Sequence, residues 1–357
     1  MKQVVSNNLG EVYVREAPMP RLEGSGAIVQ TICSVFGAGS ELGGLRRRRQ
    51  QLREQGKQAE SGATGDTGER PRSYQSCGRI VELSDDLKGT YEIGDVVACA
   101  GSGFGHHAEY GFVTRNTMAR VPEGLAPEEA ATCNVGLTGL HALRRAQFQA
   151  GELIAVIGLG MVGQLTCQLA MAFGGRAIGT DLYPLRLEKA QACGVEVVDA
   201  QTGDLAEAAR RLSGGVGADH VAVSVVSGTK ELSHLAVRAL RPSGVLLLIG
   251  GYAFDFSGAA ADANPHTKEI DVRFVYGRGP GSRDPEWNAG RTDYPSRFMR
   301  WTAKSNLEAL LQLQASGRVN AAPLLTHRFP VEQASEAADL LIEHPEQALG
   351  VVLTYGA

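Results

Sequence analysis

Apolar residues fall along this chain in two textures. Up to about residue 127 they come in short β-branched runs bounded by Pro and Gly, which predict strands at Glu11–Val14, Ala27–Ile32, Gly78–Leu83 and Asp95–Cys99. Beyond that point, short apolar runs alternate with amphipathic stretches. Strands are expected at Leu153–Ile157, Ala177–Thr180, Val195–Val198, His220–Val223, Val245–Ile249 and Asp271–Tyr276. Helices are expected between them at Val162–Phe173, Pro184–Cys193, 204–212 and 229–240, with Gly194 ending the second. Strands alternating with helices at this spacing predict an α/β, doubly wound parallel sheet. Two helical stretches, 303–316 and 331–344, and a last strand, Gly350–Thr354, follow. Residues 43–72 break the first texture. They carry almost nothing to bury and predict a short solvated helix followed by a mobile loop.

Composition changes this picture in a few places. A length of 357 residues fits two domains or one large one, and 43% hydrophobic with 21% charged residues places the chain among globular proteins. A formal charge of −4 argues against a nucleic-acid binder. No apolar run approaches the ~18 residues of a membrane span, and the start lacks the apolar core of a signal peptide, so a cytoplasmic protein is expected. Six scattered cysteines without a C-x-x-C pair read as free thiols. The basic residues are 28 Arg against 7 Lys, and the arginines cluster at 46–49 and 53 and again between Arg278 and Arg300.

The sharpest chemical signal is Ile154-Ala155-Val156-Ile157-Gly158-Leu159-Gly160-Met161-Val162-Gly163. It follows a predicted strand and opens a predicted helix, the context in which such a glycine pattern binds a dinucleotide. Gly158 permits the tight turn, Gly160 lets a pyrophosphate approach the backbone, and Gly163 lets helix and strand pack closely. Asp181, 23 residues after Gly158, is placed to accept from ribose hydroxyls and to repel a 2′-phosphate, so NAD is expected over NADP. Arg186, five residues on, is expected to cover the adenine or to stay in solvent. Met161 in the turn and Gly250 after the fifth strand complete the expected cofactor contacts.

With these residues in place, the chain resembles the medium-chain dehydrogenase/reductase superfamily over nearly its whole length. The resemblance rests on Gly94-Asp95-Val96-Val97, His107-Ala108-Glu109-Tyr110, the Gly158–Gly163 turn, Gly214–Asp219 and Thr326–Pro330. Gly279–Gly281, Asp284-Pro285, Asp293–Pro295 and Arg300–Thr302 are similar to the dehydrogenase half of bacterial bi-domain oxidoreductases. The resemblance implies a GroES-like β domain, residues 1–130 plus 278–357, with a Rossmann domain, 131–277, inserted and the active site in the cleft where they meet. It also implies a homodimer paired through the sixth strand. Thr138 and Val162 resemble the pair that holds a nicotinamide ring.

Zinc members of that superfamily carry Cys, His and Cys or Glu ligands. Here Gly37, Tyr74 and Asn134 stand at those positions, none of them a good zinc ligand, so no metal is expected. A substitute site from Cys33, Cys77, Cys133 and His107 is offset from the family positions and is not expected. Ser40 resembles the hydroxyl that relays the alcohol proton, and Tyr74 and Asn134 are candidates to hydrogen-bond the substrate. Glu41, Arg283 and Arg300 are candidate substrate contacts, the arginines for an anionic group. His106, His107 and His141 read as structural. The expected function is a zinc-independent, NAD-dependent oxidoreductase acting on a secondary alcohol of a sugar, cyclitol or similar polyol, its partner a small molecule. The alternatives are a reductase of an activated C=C bond, an epimerase or lyase working through transient oxidation, and a non-catalytic NADH-binding protein.

Overall fold

The computed structural model describes residues 1–55, 68–225, 228–250 and 253–356. In chain order its elements are β1 (Lys2–Ser6), β2 (Val12–Glu16), β3 (Gly26–Val35), α1 (Gly43–Glu54), β4 (Arg70–Pro71), β5 (Gln75–Leu83), β6 (Val96–Ala100), β7 (Tyr110–Thr114), β8 (Met118–Arg120) and α2 (Pro127–Ala130). Next come α3 (Cys133–Ala146), β9 (Leu153–Ile157), α4 (Met161–Ala172), β10 (Arg176–Asp181), α5 (Pro184–Ala192), β11 (Glu196–Asp199), α6 (Leu205–Leu212), β12 (Ala218–Val223), α7 (Lys230–Ala239), β13 (Leu240–Ile249) and β14 (Asp271–Val275). The chain ends with α8 (Pro285–Asn288), α9 (Ala303–Ala315), β15 (Leu325–Pro330), α10 (Ala334–Glu343) and β16 (Gly350–Thr354).

These elements form two compact units. The first is Met1–Asn134 with Gly279–Ala315 and Leu325–Ala357, and the second is Val135–Arg278 with Ser316–Leu324. The segment 316–324, which the sequence reading leaves with the first domain, belongs to the second because Gln168 of α4 locks onto it. The Gln168 amide donates to Asn320 O (3.0 Å), and Asn320 N donates back to Gln168 Oε1 (2.7 Å).

The second unit is built on a six-stranded parallel sheet, ordered β11-β10-β9-β12-β13-β14. All five residues of β9 are buried, as befits an unbroken apolar run in a strand covered on both faces. One face packs Leu153, Ala155, Val221, Val223, Leu246 and Leu248 against α6 and α7. Both helices start where their caps dictate. Asp204 accepts from the amides of Ala206 and Glu207, and Thr229 accepts from Leu232 N. The strand order turns back between β9 and β12, the place where open α/β sheets bind ligands.

The first unit holds a seven-stranded, largely antiparallel sheet with the path β15-β16-β3-β5-β6-β8, β7 pairing with β3, and a three-stranded sheet β2-β1-β4. Its strands β1, β7, β8 and β15 were not predicted. They are short and mix polar with apolar residues, so their periodicity is weak. The helix expected within 43–72 is α1, but it is not a solvated one. Arg46 donates to the carbonyls of Leu341 and Ile342 at the end of α10, Arg48 to Asn8 O, and Arg49 to Gly10 O. Arg49 also pairs with Asp339 (2.7 Å) and Glu343 (3.2 Å), and Arg53 pairs with Glu343 (2.9 Å). This arginine run binds helix to helix. Residues 56–67, where the predicted loop falls, lie outside the described residues.

Candidate functional site

In the second unit the chain leaves β9 through Gly158, whose φ of +94° suits glycine, and turns into α4. A Cβ on Gly163 would fall 1.9 Å from Gly158 O, so helix and turn pack at a distance only glycine allows. Among the described residues nothing lies within 4 Å of where a Cβ on Gly160 would stand, which leaves its backbone open to a ligand at the helix N-terminus. Ser224 Oγ donates to Gly158 O (2.7 Å) and steadies the turn from the end of β12. Gly250, at φ +104° past the end of β13, is exposed, and a Cβ there would meet only Val225 O, at 3.9 Å. Gly139, next to Thr138 on α3, would bring a Cβ to 2.8 Å from Thr166 Oγ1, so α3 lies tight against α4, which carries Met161 and Val162. Thr138 and Val162 are half-buried.

Asp181 ends β10 and is buried. Its carboxylate accepts from Leu159 N (2.7 Å), Tyr183 N (3.1 Å) and Arg186 Nη1 (3.3 Å). That corrects the expectation of Arg186 standing in solvent. It pairs with Asp181 and lies 4.6 Å over the Tyr183 ring. A carboxylate offers about four lone-pair sites, so Asp181 keeps room for a hydroxyl donor while it shapes the glycine turn from below. The open Gly160 backbone, the helix start and this carboxylate fit a dinucleotide.

In the first unit Gly37 and Tyr74, two of the residues expected at ligand positions, come together, and their chemistry does not fit a metal. The ring of Tyr74 packs against Gly37, where a Cβ would sit 2.6 Å from Tyr74 Cε1, so a cysteine there would have to displace the ring. Tyr74 is buried and donates its amide to Gly105 O (2.6 Å). Beside it Gln75 donates to Val35 O (3.3 Å) and accepts from Asn134 N (2.9 Å), which pins the start of α3. The offset thiols are no better. Cys33 and Cys77 are buried, and burial pushes both thiols up. Among the described residues no group of three or more His, Cys, Asp or Glu side chains could hold a metal ion.

Ser40 is exposed on the turn that begins at Gly37. Its neighbour Glu41 is not a substrate contact as expected. Glu41 is buried, and its carboxylate accepts from Gly37 N (3.0 Å) and meets His107 Nε2 at 3.1 and 3.2 Å, with Arg72 Nε 3.4 Å away. Burial raises the pKa of this carboxyl, but His107, Arg72 and the Gly37 amide outweigh it and hold the group below its ordinary value. His107 was read as structural, and what the sequence reading missed is its pairing with Glu41. A carboxylate set between the buried Phe36 and Leu42 needs a buried donor, and that demand was the available signal. His106, by contrast, packs on Gly111 and bonds Phe112 O (2.9 Å), and burial lowers its pKa. His141 is pushed down to about 4 by burial and by Arg145 and Arg144.

Arg283 and Arg300 are exposed on the segment 279–302 of the first unit, where Arg300 lies 4.1 Å over the Trp301 ring. The wholly buried Trp287 anchors that segment. Asn116 donates to Trp287 O (2.8 Å) and Thr292 O (3.0 Å), and Tyr294 OH donates to Asp284 (2.7 Å).

Comparison with known proteins agrees with this geometry. The family described as zinc-binding dehydrogenase matches residues 161–288, the stretch from the glycine turn through β14 and α8. Over that stretch the chain is similar to this dehydrogenase family. The chain is 26% identical to the sorbitol dehydrogenase of Bacillus subtilis over 252 residues, 70% of its own length and 63% of that relative's, so it spans less than two thirds of it. It is 26% identical to the D-guloside 3-dehydrogenase of Shigella flexneri over 288 residues, 78% of its length and 75% of the relative's. The crystal structure of galactitol-1-phosphate dehydrogenase from Escherichia coli shares the fold, with a TM-score of 0.75 and 21% identity across 99% of this chain and 100% of that one. The parallel sheet is thus Rossmann-like and the antiparallel one GroES-like. No helix among the described residues is long and apolar enough to cross a membrane.

Proposed function

We propose that this chain is a zinc-independent, NAD-dependent oxidoreductase that transfers hydride at a secondary alcohol or ketone of a sugar, cyclitol or related polyol. The observation that carries the reading is the pairing of an open, carboxylate-backed glycine turn with a ligand position filled by the Tyr74 ring. Gly158, Gly160, Met161 and Gly163 would seat the pyrophosphate, Asp181 the ribose, and Thr138, Val162 and Gly250 the nicotinamide end. The bound dinucleotide would supply the hydride acceptor. Ser40 would pass the alcohol proton toward solvent, while Tyr74 and Asn134 would orient the substrate hydroxyl. Without a metal to polarise the carbonyl, rate must come from placement and hydrogen bonding. The named polyol and sugar dehydrogenases among the relatives support the substrate class. Arg283 and Arg300 would favour an anionic member of it, and exposed Phe274 and Tyr276 on the edge strand and just past it support a homodimer.

The test is fluorescence titration with NADH and NADPH, then nicotinamide absorbance with hexitols, inositols and hexuronates, before and after dialysis against EDTA. NADH should bind more tightly, and turnover should survive chelation. A stoichiometric zinc lost together with activity would overturn the metal-free reading. Turnover only with activated alkenes would overturn the alcohol reading.

A further inference from the structure

A chain of buried polar groups crosses the first unit without any role in the chemistry above. Tyr355 OH lies 2.9 Å from Ser34 Oγ, Ser34 Oγ lies 2.7 Å from His107 Nδ1, and His107 Nε2 faces both oxygens of Glu41. One assignment of protons links the members, with Glu41 Oε1 left without a hydrogen bond among the described residues. Tyr355 donates to Ser34, Ser34 donates to Nδ1, and the His107 Nε2–H donates to the carboxylate. The grouping resembles a Ser-His-acid triad but cannot work as one. His107 is wholly buried, Ser34 is buried and already engaged on both sides, and no substrate can reach it.

What the chain does hold is the turn that carries Ser40. Glu41 N donates to Gly37 O (2.9 Å), Leu42 N to the same oxygen (3.1 Å), and the Glu41 carboxylate accepts from Gly37 N (3.0 Å). Residues 37–41 are thereby closed into a ring by main chain and side chain together, with Ser40 at its exposed corner. Arg72 ties this ring to the next strand segment. Its guanidinium donates to Glu41 O (2.6 Å), its carbonyl accepts from His107 N (3.2 Å), and Tyr74 follows two residues later. Main-chain bonds alone would close such a turn. A buried carboxylate is costly and persists only where its donors are held in place. We propose that Glu41 and His107 are positioning residues that fix the Ser40 hydroxyl relative to Tyr74 for proton transfer. This rests on the reading of Ser40 and Tyr74 as groups at the reacting alcohol.

The experiment compares wild type with Glu41→Gln, Glu41→Asp, His107→Gln and His107→Phe. It measures kcat and KM on the polyol turned over best, NADH affinity by fluorescence, melting temperature, and deuterium exchange of residues 36–43. Glu41→Gln and His107→Phe should lower kcat about tenfold to a hundredfold, since small displacements of a reacting group cost that much. KM and NADH affinity should stay near wild type, and exchange across 36–43 should rise. Glu41→Asp, which keeps the charge, and His107→Gln, which keeps a donor, should each recover part of kcat. Unchanged kcat with only a lower melting temperature would overturn the proposal, as would equal loss in the conservative and drastic variants. If wild type oxidises no polyol, the alcohol reading fails, while the exchange data still decide whether these two residues hold the turn.

Discussion

Asp181 shows how much one side chain can be asked to do. It shapes the glycine turn through Leu159 N, caps the entry to α5 through Tyr183 N, and holds Arg186. Asp181→Ala should weaken NADH binding about tenfold or more, as loss of hydrogen bonds to a charged acceptor does. NADPH should gain relative to NADH, because the released Arg186 becomes available to a 2′-phosphate. Parallel titrations with the two cofactors check this, and a wild type that already prefers NADPH would refute it. Arg283 and Arg300 are exposed, and Arg300→Ala should raise KM for a uronate or sugar phosphate about threefold to tenfold. NADH affinity should not move, and added salt should mimic the substitution. Equal turnover of neutral and anionic polyols, indifferent to salt, would exclude an anion site.

Among the elements, α1 and β14 teach opposite lessons about reading charge and exposure. The arginines of α1 look like a solvated face in the sequence, yet Arg46, Arg49 and Arg53 grip the end and acidic face of α10. Nothing local in the sequence reveals this, because Asp339 and Glu343 lie far along the chain. β14 was legible as a strand, and its place at the sheet edge follows from the strand order. Val272 and Phe274 share one face of it, and both are exposed, with Tyr276 just beyond. Such an edge invites pairing with a second copy. Light scattering should give twice the chain mass for wild type, and Phe274→Glu should shift it toward monomer. A wild-type monomer would rule the pairing out.

For the whole molecule, the buried charge in the first unit should register in stability. The Glu41 carboxyl sits below its ordinary 4.5 in the folded state, so the native form binds fewer protons there than the unfolded form. Its contribution is therefore complete above that value and is lost as pH falls through the folded one. Denaturant unfolding of wild type and Glu41→Gln, run from neutral pH down to about 3, should show a stability gap that is widest near neutrality and closes in acid. A gap independent of pH would mean that the charge does not matter. The alternation of runs and amphipathic stretches determined the parallel sheet and its helices by itself, and the glycine pattern determined the tight strand-to-helix turn to which Asp181 is bonded, because both depend on neighbours within a few tens of residues. Gly37, Tyr74 and Asn134 were legible as poor metal ligands from residue chemistry alone. The tertiary structure alone decided that the Tyr74 ring fills the space beside Gly37, that Glu41 turns inward to His107, and that Arg186 belongs to Asp181. Each of these depends on which distant side chain arrives to satisfy a buried group or fill a gap, and a linear pattern does not carry that information.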